Sequence, residues 1–165
     1  MQRLFALLPF FVAACATGTQ WTDVRREFDY RPPPGVNFVV IERAGGTDID
    51  EAIRRLCEGL TKELASRGLT ARQLTYPGLP PVLYLDIQEW EPGNRFERWL
   101  GFGGGEARLV VDARFVRGGD GRPALMGRVR AFVRGGFYGG SAMTAPELAA
   151  ESIARFVASG ATPED

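Results

Sequence analysis

Residues 106–133, EARLVVDARFVRGGDGRPALMGRVRAFV, decide the fold of this chain because they predict a β-hairpin. Every odd-numbered position from Ala107 to Phe115 and from Leu125 to Val133 carries an apolar or small residue, and this period of two is typical of a strand with one buried face. The glycine-rich segment Gly118–Gly121 predicts the loop between them. The predicted buried residues are Ala107, Leu109, Val111, Ala113 and Phe115 in the first strand, and Leu125, Gly127, Val129, Ala131 and Val133 in the second.

The same positions predict the register of the hairpin. Because both buried sets are odd-numbered, the numbers of opposed residues must have an even sum, and a three-residue loop Gly119-Asp120-Gly121 satisfies this condition. The register then sets Asp112 opposite Arg128 and Glu106 opposite Arg134. The segments before Glu106 and after Arg134 should therefore meet at the end of the sheet opposite the loop.

Outside the hairpin, two strands and two helices are predicted. Val36–Ile41 is apolar on both faces, as in an interior strand, and Val82–Trp90 alternates, with Leu83, Leu85 and Ile87 on one face and Tyr84, Asp86, Gln88 and Trp90 on the other. One helix, capped by Thr47 or Asp48 and stopped by Gly68, carries the apolar stripe Ile49, Ile53, Leu56, Cys57, Leu60 and Leu64. The second opens with the capping box Thr144–Glu147 and buries Leu148, Ala149, Ile153, Phe156 and Val157.

The order strand, helix, three strands, helix predicts the fold class. Alternating strands need one covered face, and two amphipathic helices can cover it. We therefore expect an α+β two-layer sandwich, with a mainly antiparallel sheet and both helices on one face. A single domain should span residues 36–158, followed by a frayed tail at 159–165.

The N-terminus resembles a bacterial lipoprotein signal. Met1–Arg3 carries one positive charge, the apolar run Leu4–Ala14 is shorter than the roughly 20 residues of a membrane-spanning helix, and Val12-Ala13-Ala14-Cys15 matches the lipobox. The resemblance implies cleavage before Cys15 and lipidation of that cysteine, so that the membrane is a partner. Ala16 is not the aspartate that commonly retains such proteins at the inner membrane, which indicates the outer membrane and the periplasm. Residues 15–35, with Pro32-Pro33-Pro34, predict a lipidated N-terminus and an extended tether, onto which Trp21, Phe28 and Tyr30 could dock.

Composition excludes several kinds of chemistry. The chain has no histidine, which removes Ser-His-Asp and Cys-His catalysis and histidine zinc sites. Its formal net charge of zero gives no electrostatic footprint for nucleic acid. No cofactor is predicted, since the glycines of Leu100–Gly105 precede a strand rather than a helix N-terminus. No metal site is predicted either, because the chain has no histidine and its carboxylates have no recognised ligand spacing. Cys57 falls on the apolar stripe of the first helix, where a buried, inert thiol is expected.

Carboxylates are the remaining candidates for catalysis. They are Asp86, Glu89, Glu91, Glu97 and Glu106, and none has a recognised ligand spacing. Asp86 and Asp112 lie on predicted outward faces among arginines, which favours a solvated, ion-paired sheet face. No catalytic residue is assigned, and the protein is not expected to be an enzyme.

Two glycine/aromatic segments are the candidate partner-binding sites. Trp99 and Phe102 lie in the first, and Phe137 and Tyr138 lie in the second. The hairpin predicts that these four aromatics form one cluster, which either closes the core or presents an apolar contact surface.

These segments carry a family resemblance. Arg98–Gly105, the alternating strand after it and Gly135–Ser141 are similar to DUF4410, an uncharacterised family of bacterial lipoproteins, over roughly residues 36–158. The arrangement is also similar to the periplasmic α/β parts of envelope assembly lipoproteins such as the curli secretion family. The resemblance implies a location but no catalytic residues. We therefore expect a lipid-anchored, non-enzymatic binding or assembly module of the cell envelope. The alternatives are a carrier of small apolar ligands and a carboxylate-dependent hydrolase.

Overall fold

The predicted hairpin forms the centre of a six-stranded sheet. A computed structural model describes residues 17–94, 105–118, 120–134 and 141–160. The strands lie in the order β1-β6-β5-β4-β2-β3. Their bounds are Thr17–Arg26 for β1, Gly35–Glu42 for β2, Thr70–Gln73 for β3, Val82–Glu91 for β4, Ala107–Val116 for β5 and Pro123–Val133 for β6. β2 pairs with β3 and β4 in parallel, and the other three pairings are antiparallel.

Two helices cover one face of this sheet, so the predicted α+β two-layer architecture is confirmed. The helices are α1, Ile49–Ser66, and α2, Thr144–Ser159. All ten predicted positions of the hairpin lie on the helix side, and nine of them, every one except Gly127, belong to the buried hydrophobic core. The opposite surface of the sheet, which carries the even-numbered residues of β5 and, from Met126 onward, of β6, is called the outer face below.

The predicted helix stripes are largely confirmed, and Asp48 and Gly68 flank α1 as predicted, but the predicted side-chain capping is not observed. The buried set of α1 includes Leu56, Leu60 and Leu64, while Ile53 and, in α2, Leu148 are only half-buried. Asp48 stands at the N-cap of α1 in a left-handed conformation and makes no side-chain capping hydrogen bond. Met143 takes the N-cap of α2, so Thr144 is already the first helical residue and cannot cap.

The register of the hairpin is confirmed along most of its length. Asp112 lies opposite Arg128, and the same pairing sum holds from Ala107 to Phe115. Next to the turn the pairing slips by one residue, so that Val116 lies opposite Pro123. Pro123 has no N–H for a ladder hydrogen bond, and the connection is longer than the three residues predicted.

The tether predicted over residues 15–35 is wrong for its central part. Thr17–Arg26 is an edge strand that pairs antiparallel with β6. Its ladder carries a bulge between Thr22 and Arg25, and Trp21 is its one buried residue. A single apolar anchor in a polar, bulged strand leaves no alternation to detect, which is why the sequence pattern predicted a linker. Tyr30 docks on the core as expected, whereas Phe28 is fully exposed.

The predicted outward position of Trp90 is also wrong. A bulge in β4 pairs Ile87 with Val111 and Glu89 with Val110, so that Gln88 is an extra residue. The strand parity reverses there, and Trp90 enters the core with 4% of its surface exposed. Its indole N–H donates to the Thr47 carbonyl at 3.0 Å, which ties the β2–α1 loop to the sheet.

Candidate functional site

One end of the sheet brings together the described flanks of the lipobox and of the two glycine/aromatic segments. Thr17 and Ala107 both pair with Val133, so the start of β1, the start of β5 and the end of β6 share one level. We call this the Thr17 end. Cys15 is two residues before Thr17, and the two glycine/aromatic segments adjoin Gly105 and Arg134. This confirms that the flanks of the two segments meet opposite the hairpin loop.

The candidate residues themselves lie outside the described residues. These residues are Cys15, Trp99, Phe102, Phe137 and Tyr138, together with Glu97 and residues 161–165 of the predicted tail. Their predicted roles, and the predicted clustering of the four aromatics, stay predictions. The predicted fraying at residue 159 is wrong, because Ser159 is the last residue of α2 and Gly160 caps it.

Glu106 joins the two strands at the Thr17 end. Its carboxylate accepts hydrogen bonds from Arg130 and Arg134, both at 2.8 Å. The second of these is the pair that the predicted register set opposite each other. Partial burial raises the pKa of Glu106, but the two guanidinium groups outweigh it and hold the pKa below its usual range.

This pKa predicts an acid-sensitive contribution to stability. A carboxyl whose pKa is lower in the folded state stabilises above its unfolded pKa of about 4.3, and this contribution is lost as the pH falls below that value. We expect Glu106→Gln to lower the free energy of unfolding by up to about 1 kcal/mol at neutral pH, because the group is partly solvated. The difference should shrink below pH of about 4. Urea unfolding at several pH values measures it, with Asp120→Asn at the exposed hairpin tip as the control, and a difference that does not vary with pH would contradict the assignment.

Ion pairs cover the outer face of the sheet. Asp86 accepts from Arg43 at 2.5 Å and Asp112 accepts from Arg128 at 2.6 Å. Arg108 pairs with both Glu89 and Glu91. The predicted ion-paired sheet face is therefore confirmed for the described carboxylates.

A concavity of about 450 Å³ lies on this outer face beside the β1 bulge. Four arginines and three aspartates line it, together with Tyr84 and Met126. Arg114 lies over the Tyr84 ring, with its guanidinium carbon 5.1 Å from the ring centroid. We call this the sheet concavity.

The two aspartates of the sheet concavity bear on the hydrolase alternative. Asp86 and Asp112 lie directly opposite each other on β4 and β5. Each accepts a hydrogen bond from its own arginine, so the arrangement is that of two neighbouring ion pairs rather than of an acid and a base sharing a substrate. Among the residues that the structure describes, no group of three or more potential ligands is placed to hold a metal ion.

Cys57 is buried against the core, as predicted, with 6% of its surface exposed. Burial, and then the nearby negative charge of Glu58, raise the pKa of the thiol to about 11. The thiolate is the reactive form, so the group should be inert near neutral pH.

We expect a thiol reagent to label Cys57 far more slowly in the folded protein than in denaturant. Cys57→Ala should cost at most about 1–2 kcal/mol of stability, since few atoms are removed. Equal labelling rates in the two states would show that the helix is not packed as described.

The chain was compared with family models, with curated proteins and with solved structures, and only the solved structures gave matches. No family model matches the chain, and no curated protein matches it. Among solved structures, it matches the PelC dodecamer from Paraburkholderia phytofirmans with a TM-score of 0.55 and 14% identity, over 86% of this chain and 97% of that chain. A single-residue variant of the PelC dodecamer matches with a TM-score of 0.53 and 18% identity, over 84% and 95%.

The fold is similar to that of PelC. Identities below one fifth establish the shared fold and nothing finer, and the resemblance to DUF4410 gains no support from a family model. No helix within the described ranges is long and apolar enough to cross a membrane.

Sequence reasoning named Trp21 and Tyr30 as docking residues but missed Arg26 and the groups on α2 and at its C-terminal end to which these three side chains bind. The indole N–H of Trp21 donates to the Ser152 hydroxyl at 2.8 Å, and the Tyr30 hydroxyl donates to the Val157 carbonyl at 2.5 Å. Arg26 donates to the Gly160 carbonyl at 3.1 Å. The signal in the sequence was the three aromatics of an otherwise polar segment, of which Trp21 and Tyr30 dock and Phe28 does not.

Proposed function

We propose that this chain is a lipid-anchored protein of the cell envelope, held at the outer membrane through Cys15 and facing the periplasm. In this proposal it is a non-enzymatic assembly module that acts as an oligomer, and it belongs with the DUF4410 lipoproteins on the strength of its glycine motifs. The observation that carries the proposal is the start of β1 at Thr17, only two residues after the cysteine of the lipobox.

The short connection has a geometric consequence. Two extended residues span about 7 Å, so a lipidated Cys15 would hold the Thr17 end close to the membrane surface. The domain would then be oriented by its own edge strand instead of hanging on a flexible tether. Trp99, Phe102, Phe137 and Tyr138 belong to segments whose flanks share this end, which supports the proposal that they contact the membrane or an envelope partner.

Self-association is supported by the structural neighbours. Both PelC structures are dodecamers, and the match covers at least 95% of that chain. Because nearly the whole PelC chain has a counterpart here, the surfaces of a PelC-like assembly have equivalents in this fold. We therefore include an oligomer of several copies in the proposed function.

The test is membrane fractionation of the wild type and of Cys15→Ser. We expect the wild type in the outer-membrane fraction and extractable only by detergent, because two or more buried acyl chains give stable anchoring. The variant lacks these chains and should be found in the soluble fraction. Cys57→Ala is the matched control, since it removes the other cysteine and should stay in the membrane. A wild type released in soluble form without lipid would contradict the proposal.

A further inference from the structure

We propose that copies of this chain associate head to tail, with the outer face of the sheet of one copy packed on the helix layer of the next. The inference rests on the proposed function, because it uses the shared membrane anchor and the oligomer. The interface would be formed by these two surfaces and held by ion pairs between them.

The anchor restricts the symmetry of the assembly. If every copy is lipidated at Cys15, every Thr17 end must face the same membrane. For more than two copies this requires rotation about an axis normal to the membrane, since a two-fold axis in the membrane plane would turn half of the anchors away. Such a ring joins two different surfaces of the chain at each interface.

The edges of the sheet are poorly suited to be those surfaces. At one edge β1 is bulged beside Asp23, whose backbone is left-handed with φ of 55°. At the other edge β3 has only four residues, Thr70–Gln73, and is followed by the proline-rich stretch 77–81. Bulges, short edge strands and prolines are the devices that prevent strand pairing between molecules.

The two faces, in contrast, have complementary charge. In the sheet concavity, Arg43 and Arg128 are paired with aspartates, whereas Arg25 and Arg114 are exposed and form no ion pair with a carboxylate of the described residues. The lining therefore carries one more positive than negative charge.

The helix layer presents an acidic groove of about 420 Å³ between α1 and α2. The helices approach closely there, since a Cβ on Gly59 would lie 3.0 Å from the Ala150 Cβ. The charged residues that line this groove are Glu58, Glu63, Glu147 and Glu151, against Arg55 and Lys62. We call it the helix groove.

Arg114 is the group best placed to reach a neighbouring copy. It lies near the end of β5, two residues before Val116, and its guanidinium is placed over the Tyr84 ring. No hydrogen bond or ion pair to another described residue occupies its donors, which can therefore bind a carboxylate of a second molecule. Glu58 and Glu151 in the helix groove keep 59% and 46% of their side-chain surface exposed, and their present partners on the same helix contribute little. A planar guanidinium that binds a carboxylate of a second molecule would fix the relative orientation of the two copies in a head-to-tail contact.

The test is a charge exchange in the lipidated full chain, followed by sedimentation velocity in detergent. Arg114→Glu and Glu58→Arg should each raise the dissociation constant of the assembly at least about tenfold, which corresponds to about 1.4 kcal/mol. The double variant should return close to the wild-type assembly, because the pair is restored in reverse. Arg122→Glu and Asp120→Arg at the hairpin tip are matched controls with equal changes of charge, and circular dichroism verifies that all variants fold.

The outcomes separate the inference from the proposed function. A membrane-bound wild type that is monomeric at every concentration would overturn both the oligomer and its interface. An oligomeric wild type whose assembly is insensitive to Arg114→Glu and Glu58→Arg would overturn the interface alone. Dissociation by the hairpin-tip controls to the same extent, or failure of the double variant to reassemble, would also refute the face-to-face pairing.

Discussion

Trp21→Ala should lower the free energy of unfolding by about 3–5 kcal/mol, the range found when a buried tryptophan is truncated. The Trp21 ring is 6% exposed, and its centroid lies 4.6 Å from that of Phe156 on α2. Its indole N–H donates to Ser152, which is buried and would lose this partner. The loss should detach β1 from both the sheet and the helix layer.

Urea unfolding followed by circular dichroism measures this effect. Trp21→Phe is the matched variant, because it keeps an aromatic ring beside Phe156 but loses the hydrogen bond, and it should cost clearly less than the alanine. If residues 17–26 were a solvated tether, Trp21→Ala would leave stability unchanged. That result would contradict the edge strand, and with it the orientation of the domain at the membrane.

Trp90→Ala is expected to have an effect of the same size, about 3–5 kcal/mol. The side chain fills the core between the sheet and the β2–α1 loop, and its N–H is bonded to the Thr47 carbonyl. Truncation removes both the packing and the link that holds the start of α1.

Gln88, two residues before Trp90 in the same strand, provides the control. Gln88 is exposed and occupies the bulge, so Gln88→Ala should change stability by less than about 0.5 kcal/mol. Strict alternation along Val82–Trp90 would place both side chains outside and predict that both substitutions are nearly neutral. Equal, small effects of Gln88→Ala and Trp90→Ala would therefore contradict the bulge.

The two tryptophans show where pattern reasoning ends. In β5 and β6 every predicted core position is on the core side, because an uninterrupted strand keeps its parity and both strands are covered by helices on one face only. In β4 one extra residue reverses the parity, and nothing in the local sequence marks the bulge. β1 and β3 were not predicted because a short or bulged edge strand exposes most of its residues and shows no hydrophobic period.

The amino-acid sequence by itself determined the α+β class, the two amphipathic helices, the hairpin with Asp112 opposite Arg128, and the buried position of Cys57. These features follow from local periodicity and parity, which are properties of neighbouring residues. Only the tertiary structure decided that Thr17–Arg26 joins the sheet, that Trp90 turns inward, and that the start of β1 shares one end with the flanks of the glycine/aromatic segments. The reason is that each depends on contacts between residues far apart in the chain, such as Trp21 with Ser152 and Phe156, whose energy appears only when the two layers pack together.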